Sequence, residues 1–139
     1  MLTVPAGFII ERIAIVSGAR ELAITRSGDL YVGTNGRTVY VVAHADADNP
    51  APPRVFVRFN DGPAAGVAVS NETLFVGTQF GVYAVSLATG ASEQLARVRT
   101  SGESSDHITT SVAWDGENLY ASVGSSCDAC NPELDETRA

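Results

Sequence analysis

Apolar and polar positions along the chain come in blocks. Short runs rich in Val, Leu, Ile and aromatic side chains are separated by turns that carry Gly, Asp and Asn. Three pairs of runs read alike. The first is Ala19-Arg20-Glu21-Leu22-Ala23-Ile24-Thr25, a polar turn, then Leu30-Tyr31-Val32-Gly33-Thr34. The second is Ala65-Gly66-Val67-Ala68-Val69 and Leu74-Phe75-Val76-Gly77-Thr78, and the third is Thr110-Ser111-Val112-Ala113-Trp114 and Leu119-Tyr120-Ala121-Ser122-Val123-Gly124. Leu30, Leu74 and Leu119 mark the shared register, 44 and 45 positions apart. Two short apolar runs joined by a Gly/Asp/Asn turn are hairpin chemistry, because those residues tolerate the backbone a tight reversal needs.

Further strands follow. Thr38-Val39-Tyr40-Val41-Val42 and Val82-Tyr83-Ala84-Val85 predict third strands, and Arg54-Val55-Phe56-Val57-Arg58-Phe59 predicts a fourth. Gln94-Leu95-Ala96-Arg97-Val98 reads as a fourth strand or equally as one or two amphipathic helical turns. Four strands per unit at this period are the pattern of a β-propeller blade. The runs lack strict polar alternation, as sheets covered on both faces do. An immunoglobulin-like sandwich is the competing architecture, and the repeat in step favours the propeller. The expected organisation is all-β: one partial propeller domain over 1–139 made of four-stranded antiparallel blades. It has a spare outer strand at 8–17, blade one at 19–60, blade two at 64–99 and an incomplete blade three at 107–139.

That is about two and a half blades, where propellers have about four to eight. An isolated arc would leave two apolar faces and a sheet edge in water. Two explanations stay open. Either the chain is the front part of a longer protein, or it closes its ring by self-association. In the second case the apolar run beginning Phe8-Ile9-Ile10 of one copy supplies the outer strand of the other's third blade, and a homodimer makes a six-bladed ring with two-fold symmetry.

Composition narrows the partners. The 139 residues are 45 % apolar and 18 % charged, with nine basic against sixteen acidic side chains and a net charge of −7. A globular domain follows, and both a nucleic-acid backbone and an anionic membrane surface would be repelled. No apolar run approaches the roughly 18 residues of a spanning helix. Met1-Leu2-Thr3-Val4-Pro5 has no basic leader, so no signal peptide is expected, and the compartment is not stated by these residues. Two cysteines exclude a disulfide scaffold.

The chemistry-bearing residues are few. Cys127 and Cys130 have the spacing of half a zinc site or of a redox pair, but His44 and His107 lie a blade apart with no ligand pattern around them, so no metal is expected there. A loop disulfide and a pair of reduced thiols both remain open. Asp46-Ala47-Asp48-Asn49 alternates oxygen ligands in the manner of a calcium loop, yet lacks the glycine and distant bidentate Glu of an EF-hand, and a solvated connection is expected. Glu133, Asp135 and Glu136 read as a solvated acidic end, and Arg97 and Arg99 as outer-strand solvation.

Pro5-Ala6-Gly7-Phe8, the blade openings, and above all Asp106-His107 ahead of Val123-Gly124-Ser125-Ser126-Cys127-Asp128-Ala129-Cys130 resemble the soluble quinoprotein sugar dehydrogenases, in particular the glucose/sorbosone dehydrogenase branch. The likeness spans nearly all of this chain and only the N-terminal part of such proteins. It implies a six-bladed propeller that holds pyrroloquinoline quinone (PQQ) with calcium over its axis and oxidises a sugar at C1. By the resemblance His107 is the general base and Asp106 its orienting partner. That pairing is physically apt, since His titrates near neutrality and a neighbouring carboxylate fixes its tautomer. The resemblance also gives Cys127 and Cys130 a loop role, and such proteins are often periplasmic or secreted. Its quinone and calcium grips come from later blades, so PQQ and calcium are not expected to be fully bound by this chain alone. A further active-site polar residue of the family has no obvious counterpart in Asn60-Asp61-Gly62-Pro63-Ala64-Ala65. The implied functions are therefore a sugar oxidoreductase, a catalytically silent module binding a sugar in the ring mouth, or a self-assembling module without ligand.

Overall fold

A computed structural model describes residues 3–98 and 110–124. The described residues are all-β, in three antiparallel sheets. The first sheet has the order β1-β2-β3-β4, from β1 (Ala19–Ile24), β2 (Leu30–Thr34), β3 (Thr38–Val42) and β4 (Arg54–Arg58). The second repeats that order with β5 (Gly66–Val69), β6 (Thr73–Gly77), β7 (Gly81–Ser86) and β8 (Ser92–Arg97). The third is a hairpin of β9 (Thr110–Trp114) and β10 (Leu119–Val123). The stretch around Gln94 is thus a strand and not a helix; β8 is exposed throughout and pairs only with β7.

Turn chemistry sets each hairpin. In the first, Asp29 N–H donates to Thr25 Oγ1 at 3.0 Å and Gly28 takes φ 84°, a left-handed conformation that suits glycine. In the third, Asp115 Oδ1 accepts from the N–H groups of Glu117 and Asn118 at 2.8 and 2.7 Å, an Asx-type closure. Tyr120 Oη donates to Asp115 Oδ2 at 3.0 Å, and these bonds hold the Asp115 carboxyl below its usual range.

The sheets stack face to face, which explains the missing polar alternation. Tyr31, Val39, Val41 and Val57 of the first sheet pack with Val67, Leu74, Val76 and Val85 of the second. The alternate residues of the second sheet, Phe75 and Val82, pack with Val112, Trp114 and Leu119 of the third. Both faces of the middle sheet are therefore buried, an arrangement with three layers and not the two of a sandwich. Aromatic pairs bridge each gap: Phe59 and Tyr83 have centroids 4.8 Å apart, and Phe75 and Trp114 5.1 Å.

Approach is closest beside the first strands, where β1 packs on β5 and β5 on β9. A Cβ at Gly33 would collide with the Ala65 carbonyl, and one at Gly77 with that of Thr110. The two glycines share a register position, so the same missing side chain admits the next sheet twice.

The expected outer strand over 8–17 forms no ladder in the described residues. Phe8, Ile9 and Ile15 are 70, 86 and 74 % exposed. A β-branched run becomes a strand only where a sheet edge receives its backbone hydrogen bonds, and among the described residues no edge does so.

Candidate functional site

The first strands of the three sheets run the same way. Near their starts Val67 N–H and the Ser111 hydroxyl both donate to the Glu21 carboxylate, and at their far ends Ile24, Val69 and Trp114 line one cleft. Every sheet-to-sheet connection consequently enters at the same end. Asn60-Asp61-Gly62-Pro63-Ala64-Ala65 leads from β4 into β5, and residues 99–109 join β8 to β9 in the chain.

Glu21 is the centre of this end. The ladder between β1 and β2 shifts register between Ala19 and Leu22, and such a bulge re-aims side chains. Glu21 Oε2 accepts the N–H of Val67 at 3.3 Å, and Oε1 accepts the hydroxyl of Ser111. One half-buried carboxylate thereby ties the first strands of all three sheets. Both oxygens are engaged, which makes Glu21 a strut between strands and not a free base.

Two equivalent threonines fasten the turns beside it. Thr34 Oγ1 donates to the Thr38 carbonyl at 2.7 Å and accepts Gly36 N–H at 3.2 Å. Thr78 Oγ1 accepts Gly81 N–H at 3.1 Å and donates to Asp61 Oδ2 at 2.5 Å. Asp61 Oδ2 also takes Phe80 N–H at 3.3 Å. Burial, with the Asp61 charge and hydrogen bond, raises the Tyr83 hydroxyl above its ordinary value. The connection before β5 holds a polar side chain, Asp61, which is spent on bracing the β6–β7 turn.

Of the residues singled out from the sequence, Asp106, His107, Cys127 and Cys130 lie outside the described residues, as do Arg99, Glu133, Asp135 and Glu136. His44 is exposed in the β3–β4 connection, beyond the opposite end of the sheet, where its N–H donates to Asp29 Oδ1 at 3.1 Å. Asp46, Asp48 and Asn49 are exposed in the same connection, and Arg97 is exposed on β8. Among the described residues no group of three or more His, Cys, Asp or Glu side chains is placed to hold a metal ion.

Sequence reading passed over Glu21 and Asp61. Glu21 had a usable signal: an acidic side chain in a first strand, at a register where the other units have Gly66 and Ser111. Asp61 had none, because an Asp in a Gly/Pro connection is ordinary turn composition. No family model, no curated protein and no solved structure matches this chain.

Proposed function

We propose that the chain is an arc of a β-propeller related to the PQQ-dependent glucose/sorbosone dehydrogenases, with part of that site present. The observation that supports it most is the parallel row β1, β5, β9 braced by Glu21, because innermost strands ranged about an axis are what a propeller requires. Asp106 and His107 belong to the connection that enters β9, the end where a ring mouth opens in this reading. There His107 takes the proton of a sugar hydroxyl and Asp106 holds the imidazole in the tautomer that leaves the other nitrogen free. The electron acceptor must be held by residues other than the described ones. Titration with PQQ and calcium, then an aldose and an artificial acceptor, tests the reading. Turnover that disappears in His107→Ala supports it, and absence of quinone binding overturns the enzymatic reading for this chain. Saturable sugar binding without turnover selects the silent module.

Closure by a second copy is part of the same proposal. Leu22, Ile24 and Val55 are 62, 54 and 40 % exposed on the first sheet, and Tyr120 is 57 % exposed on the third. Both outer flanks therefore present apolar surface, alongside the unpaired strip that begins at Phe8. A homodimer would cover one flank with the other and give the strip an edge to pair with. Sedimentation showing a well-folded monomer at micromolar concentration would remove it.

A further inference from the structure

At the end opposite Glu21 the three hairpin turns surround an open cleft of about 750 Å³. We infer that this cleft is a binding site for a small neutral sugar, separate from the end where the sheets are entered.

Its lining combines the two elements that polyhydroxylated rings need. One is an aromatic surface. Trp114 is the sole tryptophan of the chain, and it occupies a register position filled by Ile24 and Val69 in the other two units. All three line the cleft, and Trp114 is half-buried with its ring braced by Phe75. A rigid aromatic ring at a cleft wall offers apolar area to the C–H face of a sugar at little entropic cost. The other element is a set of planar hydrogen-bonding groups. Arg26 and Asp29 come from the first hairpin and Asn71 from the second. Together they offer guanidinium donors, carboxylate acceptors and an amide that does both, as adjacent hydroxyls require.

Asp29 is preset for this task. Its Oδ1 is occupied by His44 N–H at 3.1 Å, and its backbone N–H is bound by Thr25 Oγ1 at 3.0 Å. Oδ2 has no protein partner among the described residues. The side chain is therefore oriented before any ligand arrives, which lowers the ordering cost of binding. The cleft volume lies within the range of about 300–1,000 Å³ common for small-molecule sites.

The sole tryptophan supplies the readout. The full chain is titrated with D-glucose, D-galactose, maltose and cellobiose while Trp114 emission is followed, and calorimetry with the same sugars guards against a spectroscopically silent event. At least one sugar is expected to give a saturable response. Asn71→Ala and Arg26→Ala, which sit in turns outside the strands, should each weaken it tenfold or more while circular dichroism is unchanged. His107→Ala should leave it unaltered, even if the oxidative function fails its own test. No saturable response by either method to any of the four sugars overturns the inference. So does binding that survives both turn variants, or binding lost in His107→Ala.

Discussion

Replacing Glu21 by alanine is the sharpest test of how the three sheets are joined. The carboxylate accepts Val67 N–H at 3.3 Å and the Ser111 hydroxyl, and among the described residues no other side chain bonds both neighbouring first strands. Hydrogen bonds to a charged group each contribute about 1.5–3 kcal/mol when well made, and half-burial with a long 3.3 Å contact places this pair at the low end. Truncation also deprives the N–H of Val67, a residue only 4 % exposed, of its acceptor. A loss of about 2–3 kcal/mol is expected for Glu21→Ala. Glu21→Gln keeps an oxygen for Val67 and should cost about 1 kcal/mol. Ser111→Ala should cost about 1 kcal/mol alone, and the double variant less than the sum by about 1 kcal/mol. Urea unfolding followed by circular dichroism reads all four proteins, with the slope in urea unchanged if only stability has moved. Glu21→Ala within about 0.5 kcal/mol of the parent, or strict additivity with Ser111→Ala, would refute the strut.

Leu74, fully buried between the first and second sheets, should lose about 2–5 kcal/mol on truncation to alanine, measured by the same unfolding curves. Gly77→Ala should destabilise by about 1–2 kcal/mol, because overpacking against the Thr110 carbonyl outweighs the gain of about 0.5–1 from removing a strand glycine. At alkaline pH, Tyr31 and Tyr83 should ionise later than an ordinary phenol at 10.0, Tyr31 chiefly through burial with Asp29 adding to it. Their raised folded values mean that stability is full below about pH 10 and falls as pH rises through them, so absorbance at 295 nm should show a late phase coincident with unfolding. At acid pH the sign reverses: the lowered Asp115 carboxyl supports the β9–β10 hairpin above its unfolded value and ceases to as pH falls through the folded one. Asp115→Ala should flatten that part of the acid profile of Tyr120 side-chain resonances, and an unchanged profile would show the turn to be held by other means.

Much of the architecture was legible before any coordinates. The Leu30, Leu74 and Leu119 register marks the second strand of each sheet, and the Gly/Asp/Asn turns ahead of Leu30 and Leu119 close the hairpins they predict. These are local properties: a strand needs a run that fits a pleated, covered surface, and a turn needs residues that adopt its backbone. Even the absence of alternation was informative, since Leu74 and Phe75 sit side by side in sequence and bury themselves in different cores.

Other features depended on distances between elements far apart in the chain. Composition marks the run beginning at Phe8 as a strand, but whether it pairs depends on an edge that receives it, and among the described residues none does. Glu21 and Ser111 are 90 positions apart, and only the bulge in β1 together with the stacking of three sheets brings carboxylate to hydroxyl. Asn71, Arg26 and Trp114 each read as plain turn or strand residues until the hairpin ends converge on one cleft. Periodicity encodes which face of a strand is apolar, because that is decided within a few residues. Which face meets which, and what gathers where they meet, is decided by close packing between sheets, and no stretch of neighbouring residues contains that information.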